Sequence, residues 1–203
     1  MALVGQSGSG KSTFLTALLG LVGSAEFGGS RPAIGCVLHN SMLFAWSNLR
    51  EAVRLEGIAR EIECDWNGLH TLMVAFGLNI EILDEPVWKL SHGMRQRFEI
   101  AKTLSFSTNL LLFDEALSGV DLVNKRAVYH ALDRALGSSA RSLLFVTHDL
   151  GEVARLADEV WTIRDGRIVA QTAIEQPRGN RISLDGGELL ALPAVKMVAS
   201  SLY

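Results

Sequence analysis

Short apolar runs alternate with helical hydrophobic patterns along most of this chain. Each of five apolar runs has the composition and length of a buried strand. Because helical patterns separate most of these runs, the order is typical of an α/β layer with a mostly parallel central sheet. The strand-like runs are Ala2–Val4, Ala33–Leu38, Leu110–Phe113, Ser142–Val146 and Glu159–Arg164.

The alternation is interrupted between about Ser47 and Ser105, where the pattern predicts helices and no strand. Asn48 and Glu51 have the spacing of a capping box, which predicts a helix that begins there and continues to about Ile58. A second helix is indicated by apolar residues at helical spacing, which we interpret as a packing face. These residues are Leu69, Leu72, Met73 and Phe76.

The C-terminal part of the chain contains one clear structural signal. Asp165-Gly166 separates Trp161–Arg164 from Arg167–Ala170, and such a dipeptide between two strand-like runs is typical of a β-hairpin. From about Ile174 onward the sequence has turn residues and little periodicity. We interpret this segment as a C-terminal tail.

A glycine-rich segment lies between the first apolar run and a helical pattern that ends at Gly20. Residues Gly5–Ser12 fit G-x-x-x-x-G-K-[ST], the phosphate-binding loop, and a strand before and a helix after are the context that this motif requires. Glycines let backbone N–H groups approach phosphate oxygens, and the helix N-terminus adds favourable partial charge. Lys11 is predicted to neutralise the terminal phosphates, and the Ser12 hydroxyl to bind Mg²⁺.

Two further buried-strand patterns end in polar side chains. The run Leu110–Phe113 is followed by Asp114 and Glu115, at the strand end where ligands bind in open α/β sheets. A carboxylate there can hold Mg²⁺, and a second can orient or deprotonate an attacking water. The run Ser142–Val146 is followed by Thr147 and His148, and His148 could contact a γ-phosphate. A histidine that only caps its strand is the alternative.

Composition narrows the classes of protein. With 203 residues, of which 48% are hydrophobic, the chain can bury a core, and its net charge of −3 is not the electrostatic pattern of a nucleic-acid-binding protein. A mean hydropathy of +0.23 without any run of 18 apolar residues favours a soluble subunit that buries surface on a partner. Cys36 and Cys64 have no zinc or redox spacing. No signal peptide precedes the loop, so we expect a cytosolic protein.

The segment Leu90–Arg97 makes the interpretation specific. Ser91-His92-Gly93 before Arg95-Gln96-Arg97 and an amphipathic helix resembles the signature motif of ABC-transporter ATPases, L-S-G-G-[QM]-x-Q-R. In that family the order is phosphate loop, Q-loop, helical subdomain, signature, Asp-Glu strand, D-loop and switch histidine. The chain shows this order from Met1 to about Ala170, with Ser118–Asp121 at the D-loop position. The segments Gly93–Arg97 and Leu43–Trp46 also resemble the nitrate/sulfonate/taurine importer group.

The resemblance implies a P-loop NTPase fold with an inserted helical subdomain. Residues 1–46 and 106–170 are expected to form a RecA-like ATP-binding core, 47–105 a helical subdomain, and 171–203 a C-terminal tail. Glu115 is implied as the general base and His148 as the γ-phosphate contact, with Ser12, Asp114 and His39 around Mg²⁺. The residues implied to contact ATP are Gly5, Ser7, Gly8, Ser9, Gly10, Lys11, Ser12, Thr13, Ser91, Gly93 and Asp121.

The resemblance also implies partners. Such ATPases act as head-to-tail dimers, in which Ser91–Gly93 of one chain closes over the ATP bound to Gly5–Thr13 of the other. Closure would drive transmembrane permease subunits, for which the helical stretch and the loop Asn40–Trp46 resemble the docking surface. We therefore expect a second ATPase subunit, identical or different, and a cytoplasmic position on the inner face of the membrane.

The sequence departs from the family pattern in four places. His39 replaces the usual Q-loop glutamine, His92 replaces the first signature glycine, and Ala116 stands where proline usually follows the glutamate. The chain also begins on the strand that enters the phosphate loop, whereas family members have preceding strands and an aromatic residue that stacks on adenine. We expect a truncated N-terminus. The alternative is a degenerate, weakly hydrolysing or non-hydrolysing regulatory partner in a heteromeric ABC complex.

Overall fold

The computed structural model describes residues 1–23, 25–38, 47–137, 141–182 and 184–201. The chain divides into two compact units, each built from separate stretches of sequence. The first unit comprises Met1–Pro32, Leu112–Glu115 and Ser142–Tyr203, and the second comprises Ala33–Leu111 and Ala116–Arg141. No helix in these described ranges is long and apolar enough to cross a membrane.

Six strands and nine α-helices are present in the described residues. The strands are β1 (Ala2–Val4), β2 (Ile34–Val37), β3 (Leu110–Asp114), β4 (Ser142–Val146), β5 (Glu159–Arg164) and β6 (Arg167–Ala173). The helices are α1 (Lys11–Leu18), α2 (Leu49–Arg60), α3 (Trp66–Ala75), α4 (His92–Ser105), α5 (Leu122–Gly137), α6 (Leu150–Leu156), α7 (Arg178–Arg181), α8 (Gly186–Ala191) and α9 (Pro193–Ser201). The five predicted strands are confirmed.

The sheet of the first unit has the strand order β3-β4-β1-β5-β6. Strand β1 lies parallel to both β4 and β5, with Ala2 opposite Phe145 and Leu3 opposite Trp161. All three residues of β1 are buried, as expected for a parallel strand that is covered on both faces. The predicted hairpin is confirmed, because β5 and β6 pair antiparallel across Asp165-Gly166.

The C-terminal tail contains helices that the sequence analysis did not identify. Residues from Arg178 onward form helices α7, α8 and α9. Asp185 and Glu188 make a complete capping box at the start of α8, a signal that the sequence analysis missed. Leu189 and Val195 are buried against Ala154 of α6. Helices this short are marginal alone, so the tertiary contact stabilises them.

In the second unit, strand β2 lies beside the start of β3, where the N–H groups of Asn109 and Leu110 both donate to the Ala33 carbonyl. Helices α2 to α5 make up the rest of the regular structure that is described there, with two short 3₁₀ turns at Ile80–Asp84 and Val87–Lys89. The Glu51 N–H donates to Asn48 Oδ1 over 2.8 Å, which confirms the predicted helix start. The predicted packing face is also confirmed in its buried members, Leu69, Met73 and Phe76.

Candidate nucleotide-binding site

The glycine-rich loop connects β1 to α1 in the first unit. Gly8 has φ 78° and Gly10 has φ 101°. Residues with a Cβ atom rarely adopt such positive φ angles, whereas glycine adopts them readily. At Gly5 the reason for glycine is space, because a Cβ atom there would lie 2.4 Å from the carbonyl oxygen of Ile163. The loop is therefore shaped by its glycines and by the neighbouring strand β5.

The β5–β6 hairpin supports this loop. The Gly166 N–H donates to the Ser9 carbonyl over 3.0 Å, and residues Gly5–Ser9 and Thr162–Asp165 together line a small concave site. Ser9 is buried, and its hydroxyl has no hydrogen-bond partner within the described part of the chain. The hairpin thus forms one wall of the loop that the sequence identified as phosphate-binding.

Lys11 lies over the loop that precedes it. Its ammonium donates to the carbonyl oxygens of Gly5 and Gln6, each over 2.8 Å. Ser7, Ser12 and Thr13 are exposed beside it, and the first turn of α1 contains no acidic residue. The positive end of the helix and the lysine charge are consequently both available to an anion.

Glu115 has an unusual backbone conformation at the end of β3. Its φ is 49°, in the left-handed region that residues other than glycine seldom adopt. Its N–H donates to the Val146 carbonyl of β4 over 3.0 Å, which helps to hold this conformation. Strained backbone of this kind is often found at functional sites.

His148 faces Glu115 across the ends of the two adjacent strands. Its Nδ1 atom lies 3.6 Å from Glu115 Oε1, and the imidazole side chain is 75% exposed. The structure therefore brings together two residues that the sequence analysis assigned to catalysis. Asp114 is the last residue of β3, so its carboxylate is placed at the same end of the sheet.

The surroundings of His148 contain residues that the sequence analysis missed. The Asp149 side chain accepts from the Gly151 N–H over 2.8 Å and so caps α6. The Thr147 hydroxyl donates to buried Glu152 over 2.7 Å and accepts from the Asp149 N–H over 3.1 Å. The spacing Asp149-x-x-Glu152 is the sequence signal that could have identified this helix start.

In the second unit, Ser91 caps helix α4. Its hydroxyl accepts from the Met94 N–H over 3.2 Å, and the first turn of α4 has no acidic residue. A Cβ atom at Gly93 would lie 2.7 Å from the carbonyl oxygen of Gly119. The signature segment is therefore packed directly on the loop Ser118–Asp121.

Gln96 and His92 complete this contact. Gln96 accepts from the Gly119 N–H over 2.8 Å and donates to the Ser118 hydroxyl over 3.4 Å. The His92 ring covers Gly119 so closely that a Cβ atom there would be 2.5 Å from its Cδ2. The sequence analysis placed Gln96 in Arg95-Gln96-Arg97 but did not anticipate that its side chain binds the loop Ser118–Asp121.

Asp121 ends the same loop. It accepts hydrogen bonds from the Asn124 side chain over 2.7 Å and from the Asn124 N–H over 3.1 Å. These bonds hold the pKa of the Asp121 carboxyl below its usual value. His39 and the loop Asn40–Trp46, which were predicted to bind metal and to dock on a permease, lie outside the described residues.

The parallel sheet, the glycine-rich loop and the carboxylates at the strand ends together define a P-loop NTPase domain. Residues 1–118 match the protein family described as ABC transporter. That match covers more than half of the chain. The chain therefore belongs to the ABC transporter family and contains its ATP-binding domain.

Two relatives illustrate the similarity. The chain is 33% identical over 197 residues to the molybdenum import ATP-binding protein ModC 1 of Azotobacter vinelandii, a match that covers 86% of this chain and 53% of that protein. It is 30% identical over 186 residues to the aliphatic sulfonates import ATP-binding protein SsuB 1 of Paracoccus denitrificans, covering 90% of this chain and 75% of that protein. The chain thus spans about half the length of the first relative.

Solved structures share the fold. An ATP-binding subunit of an ABC transporter superposes with a TM-score of 0.77 at 22% identity, over 93% of this chain and 85% of that one. The cassette MJ0796, a dimer in a post-hydrolysis state bound to ADP and Pi, superposes with a TM-score of 0.71 at 21% identity, over 87% of this chain and 85% of that one. The predicted family and fold class are confirmed.

Proposed function

We propose that this chain binds ATP with Mg²⁺ and hydrolyses it to drive an ABC importer through nucleotide-dependent dimer closure. The observation that supports this most directly is the 3.6 Å approach of His148 Nδ1 to Glu115 Oε1. It puts a carboxylate and an imidazole together at the end of the sheet where α/β proteins bind their ligands. The same sheet has the glycine-rich loop after β1.

The phosphate groups would be bound by the loop and the start of α1. Backbone N–H groups of Ser7–Lys11 would surround the phosphates, and the Lys11 ammonium would exchange its bonds to Gly5 and Gln6 for phosphate oxygens. Ser12 and Thr13 are exposed where further phosphate contacts are needed.

The residues proposed for Mg²⁺ have suitable donor chemistry. Ser12 and Asp114 offer hard oxygen ligands, and proteins bind Mg²⁺ through one or two such groups together with substrate phosphates. The ion would neutralise charge on the phosphate oxygens. We propose His39 as a third neighbour of the ion on sequence grounds alone.

Glu115 is proposed as the general base. Its side chain is 31% exposed, so it can reach both a water molecule and the fixed groups of the site. It would take a proton from the water that attacks the γ-phosphorus, which a positioned carboxylate can do within hydrogen-bond reach. His148 would contact the γ-phosphate and orient it toward that water.

The second half of the site is proposed to come from another copy or a related subunit. Ser91 and Gly93 lie at the N-terminus of α4, where a hydroxyl and free N–H groups suit a γ-phosphate. Asp121 lies in the loop that packs on Gly93 through Gly119. A head-to-tail dimer would bring these groups over the partner's ATP, and the related cassette MJ0796 is dimeric.

The transport function is proposed from the relatives. Those described above are import ATP-binding proteins, so we propose an importer with transmembrane permease partners. The chain would then act at the cytoplasmic face of the membrane. We keep the sequence-based division into a core, a helical subdomain at 47–105 and a C-terminal segment as part of this proposal.

A regulatory partner with weak or no hydrolysis is the second candidate. The observation in its favour is the His92 ring, which lies against Gly119 in the signature region. An imidazole there adds bulk where the partner's phosphate must approach backbone N–H groups. Hydrolysis measurements separate the two candidates.

The test is Glu115→Gln, which keeps the side-chain shape and removes the base. We expect wild-type affinity in a fluorescent-nucleotide titration, loss of steady-state hydrolysis by at least about a hundredfold, and a dimer that forms only with ATP. Lys11→Ala is the control and should abolish nucleotide binding, since no other residue of the loop has a positive charge. Undiminished hydrolysis by Glu115→Gln would contradict the role of the base, and a monomer with and without ATP would contradict dimer closure.

A further inference from the structure

Arg181 is completely buried although it has a charge. Its guanidinium donates to the carbonyl oxygens of Ala154 and Ala157, each over 2.6 Å. A further donor reaches Asp158 Oδ1 over 3.1 Å. Its side chain is 0% exposed, so this is a built contact and not a loose surface interaction. Nothing in the proposed hydrolysis uses it.

The acceptors of these bonds lie in helix α6 and in the two residues that follow it. The carbonyl groups in the last turn of a helix lack partners within the helix and have the negative end of its dipole. Nη1 of Arg181 donates to both carbonyl oxygens while Nη2 reaches Asp158, so two separate nitrogens of one rigid plane hold three acceptors, which the single nitrogen of a lysine ammonium reproduces only in part. Arg181 therefore provides hydrogen-bond donors for carbonyl groups at the C-terminal end of α6 and just after it.

The other end of α6 begins directly after His148. Asp149 caps it, and Thr147 on the opposite side of His148 donates to Glu152 within the helix. Helix α6 has seven residues and is about 10 Å long. Because so short a helix is marginal without tertiary contacts, the groups that fasten its C-terminal end also determine where its first residues lie.

The rest of the C-terminal segment packs on the same helix. Leu189 of α8 and Val195 of α9 are buried against Ala154. Arg155 donates to the Leu184 carbonyl over 2.9 Å. Helix α6 is thus held by a segment that folds onto it from more than 20 residues further along the chain.

We infer that Arg181 is a positioning residue for His148, acting through α6. This inference rests on the proposed function of His148 as the γ-phosphate contact. Removing the guanidinium would free the C-terminal end of α6 and let the Asp149 cap and the imidazole shift. A displacement of about 1 Å at a catalytic group can lower a rate by up to about a hundredfold, whereas the phosphate loop, which Arg181 does not touch in any described contact, would keep its affinity.

The experiment compares Arg181→Met and Arg181→Lys with Arg178→Met as the matched control. Arg178 also bonds Asp158, over 3.2 Å, but its side chain is 18% exposed, whereas that of Arg181 is 0% exposed. We expect Arg181→Met to lower kcat by about ten- to a hundredfold, with nucleotide affinity within about twofold of wild type. Arg181→Lys should fall between, and Arg178→Met should stay close to wild type.

A double-mutant cycle with His148→Ala distinguishes positioning from mere stabilisation. If Arg181 acts through His148, Arg181→Met should cause little further loss of kcat in the His148→Ala background, because interacting residues are not additive. An equal loss in both backgrounds would overturn the inference. So would a folded Arg181→Met protein with wild-type kcat.

Two measurements do not need hydrolysis. In Arg181→Met and in the milder Arg181→Lys, amide hydrogen exchange of Leu150–Leu156 should speed up, and the His148 imidazole NMR resonance should move. If the wild-type chain fails to hydrolyse ATP, the proposed function falls while these measurements still decide the inference. Unchanged exchange and an unchanged His148 resonance in folded Arg181→Lys would reject it even if Arg181→Met does not fold.

Discussion

The backbone N–H of Gly119 donates a hydrogen bond to the side-chain oxygen of Gln96 over 2.8 Å. This bond joins helix α4, which the signature serine Ser91 caps, to the loop that leads to Asp121. Gly93 lies beside the same glycine, so two motifs that are separate in the sequence form one packed contact. A substitution in either segment should therefore also alter the packing of the other.

Gly93→Ala is predicted to be more damaging than Gly119→Ala. The new Cβ at position 93 would meet the Gly119 carbonyl oxygen at 2.7 Å, and backbone cannot move aside cheaply. At position 119 the Cβ would meet Gln96 Oε1 and His92 Cδ2, both at 2.5 Å, which are side-chain atoms that can rotate. We expect Gly93→Ala to lower the free energy of unfolding by about 1–3 kcal/mol, measured by urea denaturation.

The control for this pair is His92→Ala in the Gly119→Ala background. Removing the ring should recover part of the stability lost by Gly119→Ala and little of that lost by Gly93→Ala, since the latter meets backbone. If Gly119→Ala proves the more destabilising single variant, the packing described at this contact is wrong.

Lys102→Met is predicted to destabilise the second unit strongly. Lys102 Nζ lies 2.6 Å from Glu56 Oε2 and 2.9 Å from Glu99 Oε1, and its side chain is 8% exposed. Burial opposes its charged form, but Glu99 and Glu56 outweigh this and raise the pKa of Lys102. Without the ammonium, buried Glu99 loses its cation, which typically costs about 3–5 kcal/mol.

Lys89→Met is the matched control for this prediction. Lys89 pairs with Glu85 over the same 2.6 Å, but its side chain is 50% exposed, and exposed pairs contribute about 1 kcal/mol or less. Chemical denaturation of the two variants measures the contrast. Similar losses of unfolding free energy in both would show that burial does not set the strength of the Lys102 pair.

Cys64 is predicted to contribute to loss of stability at alkaline pH. Burial, with Asp65 and Glu56 adding to it, raises the pKa of the Cys64 thiol from 9.0 to about 11. Between these two values the unfolded chain releases the thiol proton while the folded chain keeps it. The unfolded state then binds fewer protons, so the free energy of unfolding should fall as pH rises from about 9 to about 11.

Urea denaturation at several pH values in that window tests this. Cys64→Ala should show a shallower fall than wild type and the same stability trend below pH 9, where the thiol is protonated in both states. Curves that remain parallel up to pH 11 would mean that Cys64 ionises alike in the folded and unfolded chains. Alkylation of the native Cys64 thiol at pH 8 should also be slow, because the thiolate is the reactive form.

The features that the sequence determined by itself are local in the chain. The phosphate loop needs glycines at fixed offsets from Lys11 and Ser12, and this spacing is visible in eight consecutive residues. Strands such as Ser142–Val146 are continuous apolar runs because both faces of a parallel strand are buried. The Asn48 cap and the Asp165-Gly166 turn depend on side-chain and backbone preferences within four residues.

What only the tertiary structure decided involves residues that are far apart in the chain. The facing of Glu115 and His148, the bond from Gly119 to Gln96 and the burial of Arg181 on α6 all require the packed layers to bring distant segments together. Helices α7 to α9 were missed for the same reason, since segments of four to nine residues have little helical stability of their own. Their structure comes from the apolar surface they bury on α6, and periodicity in so short a segment cannot reveal that surface.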